Sequence, residues 1–198
     1  LFPYTRYGVT GGVPFADSKQ FFPHTPDSEL ITQYGRNISI GMFGEAPGFR
    51  GVNSLYLNLE AFFSNQQFNI YNNDDGSNEN LNLEFNSIEI PFQLKYYFSI
   101  KNVHPFLSAG VLFFKPIEAF EQRSKLLRRS TGPEWEFSQV SYEQIKASMG
   151  LTYGIGLGIP IDHRRIIYVQ ANWRNASDLI NNNPPNFSYF LLSMGINY

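Results

Sequence analysis

Between Ser87 and Phe98 apolar and polar positions alternate without a slip. Ile88, Ile90, Phe92, Leu94, Tyr96 and Phe98 fall on one face, and Glu89, Pro91, Gln93, Lys95 and Tyr97 on the other. Successive strand side chains point to opposite faces, so a period of two predicts a strand with one apolar side. After the polar SIKNV, Leu107, Ala109, Val111 and Phe113 repeat the pattern, and the pair up to Phe114 reads as a β-hairpin. The same period recurs in Tyr4 to Val13, Asn37 to Gly44 and SLYLNLEAFF from Ser54. It returns in Ala147 to Ile159, in IIYVQANWR from Ile166 and in the closing FSYFLLSMGINY.

Long and short connections alternate between these eight strands. Pro14 to about Tyr34, the Asn-rich Ser64 to Asn86, Lys115 to about Gln144, and NASDLINNNPPN read as long loops. EAPGFRGVN, SIKNV and PIDHRR read as short turns. Antiparallel neighbours are the natural topology for such a chain. The expectation is one all-β domain over residues 1–198, an eight-stranded antiparallel up-and-down barrel.

Alternation alone leaves a soluble, lipocalin-like barrel and a transmembrane barrel both open. Four features favour the membrane. The polar face of Ala147 to Ile159 is Ser148, Gly150, Thr152, Gly154, Gly156 and Gly158, too small and too poor in charge for a solvated surface. Small residues suit a cramped lumen, opposite large partners such as Tyr56, Phe62, Tyr97 and Tyr168. The short turns share one rim, as periplasmic turns do, with long extracellular loops on the other. Tyr96, Phe98, Trp173 and Tyr198 stand where an interfacial aromatic girdle would lie, and the chain ends on an aromatic residue.

Composition agrees. Charged residues are 16% of the 198 and aromatics 17%, against about 25% charge in ordinary soluble domains. A net charge of −2 leaves no basic excess for nucleic acid. Without cysteine there is no disulfide, thiolate catalysis or Cys-ligated zinc. No apolar run is long enough for a transmembrane helix. The chain begins at Leu1 without a signal peptide, as a mature or trimmed chain would.

In a membrane barrel Arg6, Glu60, Glu89, Lys95 and Arg174 point into the lumen, where charges must be paired or hydrogen-bonded. They form either an internal salt-bridge network holding the barrel shut or an ion path; a lumen of eight strands, just filled by side chains, favours the first.

The IPFQLKYYF and PFLSAGV hairpin, SLYLNLEAFF, the Gly-alternating strand and the terminal aromatic strand resemble the outer-membrane β-barrel domain of Bacteroidota, the PorT-like group. The resemblance implies a bacterial outer-membrane location and a small barrel without a shared catalytic motif. Some members of that group are accessory parts of type IX secretion.

Candidate chemistry is sparse. His24 lies in a long loop without an evident partner, and His104 and His163 lie on the short-turn rim, so the expectation is a protein that is not an enzyme. Asn72 to Asn80 is rich in oxygen ligands but lacks EF-hand spacing and reads as a solvated turn; no metal or cofactor is expected. Arg123, Lys125, Arg128 and Arg129, with Trp135 nearby, make a basic cluster that would contact lipopolysaccharide phosphates, contact a partner, or stand solvated. Phe120, Leu126, Leu127 and Trp135 are unusually apolar for a free loop, which suggests a covered surface. The leading expectation is therefore a structural or accessory subunit of a larger outer-membrane complex, of secretion, barrel-assembly or nutrient-uptake type. Its partners would be lipids, lipopolysaccharide and other outer-membrane proteins. The alternatives are a stand-alone surface-binding or adhesion barrel, a small pore, a lipid A-modifying enzyme, or a soluble carrier.

Overall fold

The computed structural model describes residues 5–16, 30–35, 37–48, 54–74, 77–98, 100, 102–129, 132–142, 147–162, 165–177 and 187–198. Among these residues there are ten strands: β1 (Arg6–Ala16), β2 (Leu30–Tyr34), β3 (Ile38–Pro47), β4 (Leu55–Asp74), β5 (Ser77–Tyr97), β6 (His104–Arg129), β7 (Gly132–Tyr142), β8 (Ser148–Pro160), β9 (Ile166–Ser177) and β10 (Phe187–Asn197). Eight of them close an antiparallel barrel in the order β1-β3-β4-β5-β6-β8-β9-β10, with β10 returning to β1. These eight are the strands that the alternation predicts. Tyr198 extends the seam by donating its backbone N–H to Tyr7 O at 2.8 Å. Closure pairs every barrel strand on both sides within the wall, which a hydrocarbon environment requires.

The apolar sets face outward. Ile40, Met42, Phe92, Leu107, Ile155 and Met194 are all exposed, which in water would be a large aggregation hazard and in lipid is the solvated state. Two aromatic levels bound this wall. Tyr153, Trp173, Phe190 and Phe15 follow one another in register across β8, β9, β10 and β1. Tyr7, Tyr96, Phe98 and Tyr198 stand exposed near the short-turn rim. Tyr7 and Phe15 are eight residues apart on β1, which at about 3.3 Å per residue and a tilt of about 40° is roughly 20 Å along the barrel axis, close to the ~25 Å apolar band of such barrels.

Inside, side chains are layered. Phe43, Tyr56, Tyr97, Phe106 and Tyr168 form an aromatic cluster near the short-turn rim. Glycines make room for it, Gly8 beside the Phe43 ring among them. A Cβ on Gly156 would run into the Phe106 ring, and one on Gly195 into the Tyr168 ring. Of the large partners expected for the small face, Tyr168 is therefore one, and Phe43 and Phe106 join it.

Three segments read as loops are strand. β4 and β5 keep one register from Leu55↔Tyr96 and Leu57↔Leu94 out to Asp74↔Ser77, so Ser64 to Asn86 is mostly a long hairpin. Lys115 to Gln144 likewise contains the outer half of β6 and all of β7, and β2 within the first long loop pairs with β4. The Asn-rich composition conceals this, because strand pairing is made by backbone groups and does not need apolar side chains once the ladder is nucleated. β6, at 26 residues, is far longer than the ~9–11 residues that span a bilayer. The strands β2-β4-β5-β6-β7 therefore continue beyond the wall as one projecting antiparallel sheet.

A β-bulge sits at its base. Ser87 pairs with Pro116 but Asn86 with Glu118, leaving Ile117 as an extra residue in β6. One inserted residue exchanges the two faces of everything beyond it.

Candidate functional site

Among the described residues, two places hold polar chemistry: the lumen and the projecting sheet. In the lumen the described residues bury six charged side chains, Arg6, Lys95 and Arg174 against Glu45, Glu60 and Glu89. The charges balance. Arg6 pairs with Glu45, and Tyr97 donates its hydroxyl to the same carboxylate at 3.0 Å. Lys95 bridges Glu45 (3.7 Å) and Glu60 (3.5 Å). Arg174 pairs with Glu89 and reaches Glu60 at 3.5 Å, and Tyr189 donates to Glu89. The six charges thus form one chain along the barrel.

Aromatic faces and neutral donors complete it. Arg174 lies 4.5 Å from the Phe62 ring centroid. Lys95 lies 5.1 Å from both Phe106 and Tyr168, and Arg6 5.1 Å from Tyr56. Glu60 also accepts from Asn58 at 2.9 Å and Gln170 at 3.3 Å. Taking a charge out of water costs several kcal/mol even after relaxation, so such a cluster persists only when every member is paired and solvated by fixed dipoles.

The structure brings Arg6, Glu60, Glu89, Lys95 and Arg174 together and adds Glu45, which the sequence reading left in a short connection. β3 runs to Pro47, and on a strand of that length Glu45 shares the inward parity of Phe43. The signal was the excess of one base over the acids: an enclosed set of three bases and two acids lacks a partner.

The projecting sheet carries the other predicted residues. Because of the bulge, Arg123 stands opposite Leu81, which is buried, and its guanidinium meets Glu79 at 3.6 Å. Lys125, Arg128 and Arg129 lie on β6 and Trp135 on β7; their side chains are outside the described residues. His104 opens β6 opposite Gly158, whereas His24 and His163 lie outside the described residues. Asn72 to Asn80 is the tip of the β4–β5 hairpin. Among the described residues no three His, Asp or Glu side chains converge as a metal site.

The outer face of the same sheet was not singled out by the sequence. Above the exposed Phe63 and Ile88, Asn65 donates to Asn86 at 2.8 Å and Asn86 to Glu118 at 3.3 Å, a polar row tying β4, β5 and β6. Higher up, Gln33, Asn69, Asn82, Gln122 and Gln139 occupy one register row across β2, β4, β5, β6 and β7.

Comparison with known proteins gives this architecture a place. The model of the outer membrane protein beta-barrel domain matches residues 4–173. No curated protein sequence matches the chain. Among solved structures it is similar to Neisserial surface protein A, with 12% identity, a TM-score of 0.52, and 98% of this chain and 95% of that chain covered. It is similar also to the N-terminal β-barrel domain of Pseudomonas aeruginosa OprF, with 12% identity, a TM-score of 0.44, and 98% and 97% covered. A third is the outer membrane protease OmpT from Escherichia coli, with 10% identity, a TM-score of 0.45, and 98% and 96% covered. With a protease among the similar structures, the expectation that this chain is not an enzyme does not stand. The wall is a scaffold and chemistry resides in the residues placed on it, so counting histidines does not exclude catalysis.

Proposed function

This chain belongs to the outer membrane protein beta-barrel domain family, and from that premise we propose that it is a membrane-anchored structural subunit that recruits a larger outer-membrane complex. Its place is the bacterial outer membrane, with the apolar wall in contact with lipid. The observation that carries the reading is the projecting sheet. Strands of 20, 21 and 26 residues raise it well past the outer aromatic level, and among the described residues β7 pairs with β6 alone. An open strand edge presents a row of unpaired backbone groups, the template for adding a partner's strand.

The lumen supports the same reading from the other side. Arg6, Glu60, Glu89, Lys95 and Arg174, with Glu45, act as a lock that keeps the barrel rigid under its load, and residues 1–198 form one domain. The complex is of secretion, barrel-assembly or nutrient-uptake type, and the IPFQLKYYF and PFLSAGV hairpin supports a PorT-like, Bacteroidota placement. A second reading, a stand-alone barrel that binds lipopolysaccharide, is favoured by the four bases Arg123, Lys125, Arg128 and Arg129 near the outer end of β6.

The test is gentle detergent extraction followed by light scattering and identification of co-purifying proteins. A stoichiometric larger assembly is expected. A solitary monomer that adsorbs to lipopolysaccharide vesicles would replace the first reading with the second.

A further inference from the structure

The lipid-facing wall is indented on one side. A groove of about 590 Å³ opens there, centred on β6, β8 and β9, and none of the residues lining it is charged. Two register rows make it. One runs Ala109↔Tyr153↔Trp173↔Phe190, and the next, towards the short turns, runs Leu107↔Ile155↔Ala171. Each row holds one alanine, on β6 in the first and on β9 in the second, so the bulkier neighbours stand up around a low floor. Ala109 and Ala171 are two strands and two residues apart, about 12 Å at ~4.8 Å per strand and ~3.3 Å per residue. The Ser108 hydroxyl beneath this floor is turned to the lumen, where it donates to Asn172 Oδ1 at 3.5 Å. The floor itself is therefore apolar.

At its outer end the groove meets the aromatic level. The Trp173 and Phe190 rings pack edge to face with centroids 4.6 Å apart, and the exposed Tyr153 stands opposite Trp173. Tyrosine and tryptophan at that depth keep their rings in hydrocarbon and turn O–H and N–H groups to the headgroups.

The surroundings of the groove select its occupant. It is continuous with the wall that contacts lipid, and its uncharged lining has no ion pair to offer a protein partner. An α-helix, about 10 Å across, would bridge the groove without filling it. A flexible hydrocarbon chain follows it and gains dispersion contacts on its sides as well as beneath. The length also matches, since ~12 Å is most of the ~15 Å that one leaflet of a ~30 Å hydrocarbon core provides. We propose that the groove over Ala109 and Ala171 holds one acyl chain of an outer-leaflet lipid in preference to the bulk chains around it. The ester region of that lipid lies at Tyr153 and Trp173. This site is independent of the docking role given to the projecting sheet.

The test reads tryptophan fluorescence. The chain has two tryptophans, so Trp135→Phe leaves Trp173 as the reporter at the groove. A control combining Trp135→Phe, Trp173→Phe and Met42→Trp moves the reporter to the exposed wall of β3. Each purified full chain, in micelles of an octyl-chain detergent, is titrated with a phospholipid brominated near the middle of one acyl chain. Half-quenching of Trp173 is expected at a lipid fraction about threefold lower than for the control, or lower still, because the groove packs a long chain better than an open wall does. Filling the floor with Ala109→Leu and Ala171→Leu should bring the Trp173 curve onto the control. Should that double variant fail to fold, Ala109→Leu alone, two strands from Trp173, should still narrow the difference. A Trp173 curve that coincides with the control, or a difference that survives filling in folded variants, would overturn the proposal. So would Trp173 being quenched less than the control, and less again at higher protein concentration, which would show a second copy or another protein seated in the groove.

Discussion

Replacing Arg174 by methionine removes one base from a buried set of three bases and three acids and leaves the lumen with an uncompensated carboxylate. Both Arg174 and its partners Glu60 and Glu89 are inaccessible to solvent. Breaking a buried pair in this way costs about 3–5 kcal/mol. The lower end applies, because each carboxylate keeps other donors. Glu89 retains Tyr189, Ser87 at 3.3 Å and Gln66 at 3.4 Å. Glu60 retains Lys95 at 3.5 Å, Asn58 at 2.9 Å and Gln170 at 3.3 Å. Methionine fills most of the volume but gives up the contact with Phe62, a cation–π interaction of about 1–2 kcal/mol when desolvated. We expect Arg174→Met to lose roughly 3 kcal/mol in urea unfolding of the barrel refolded in detergent micelles. The Glu89→Gln/Arg174→Met double variant restores charge balance and should recover about half of that loss, a coupling of ~1–2 kcal/mol within the range for contacting residues. A single variant within about 1 kcal/mol of the parent, or a double variant no better than the sum of the singles, would refute a paired-charge lock.

Three further outcomes follow from the same geometry. Glu45→Gln should cost about 3 kcal/mol in the same assay, because Arg6, Lys95 and the Tyr97 hydroxyl all converge on that carboxylate. Leu81→Ala should remove ~2–4 kcal/mol of local stability, since Leu81 is fully buried in the projecting sheet opposite Ile70. Limited proteolysis should then cut within the projecting hairpins while the barrel's urea midpoint is unchanged; a shift of that midpoint would show that sheet and barrel unfold together. In planar bilayers the parent chain should give no discrete conductance steps, because the lumen is filled from its aromatic layer to its charges. Reproducible steps would show that the network opens.

The barrel was legible in the sequence because its signal is local. Period-two alternation is forced on any strand with lipid on one side and a packed lumen on the other, so strand number, face assignment and the inward charges Arg6, Glu60, Glu89, Lys95 and Arg174 could be read from single segments. The projecting hairpins were hidden for the converse reason. Their residues meet water on at least one face, alternation fades, and an Asn-rich ladder looks like a loop. An absence of catalysis was not legible either, because a scaffold's chemistry is not written in its histidine count.

What only the tertiary structure decided is cross-strand register. Glu45 joins the lumen because β3 runs three residues past Gly44, and the bulge at Ile117 sets Arg123 opposite the buried Leu81. The register line Gln33–Asn69–Asn82–Gln122–Gln139 draws one position from each of five strands, positions that no sequence window contains. Alternation along a strand is a property of neighbouring residues. Which residue stands beside which depends on loop closure, bulges and barrel stagger summed over the whole wall, and these are settled only when the sheet closes.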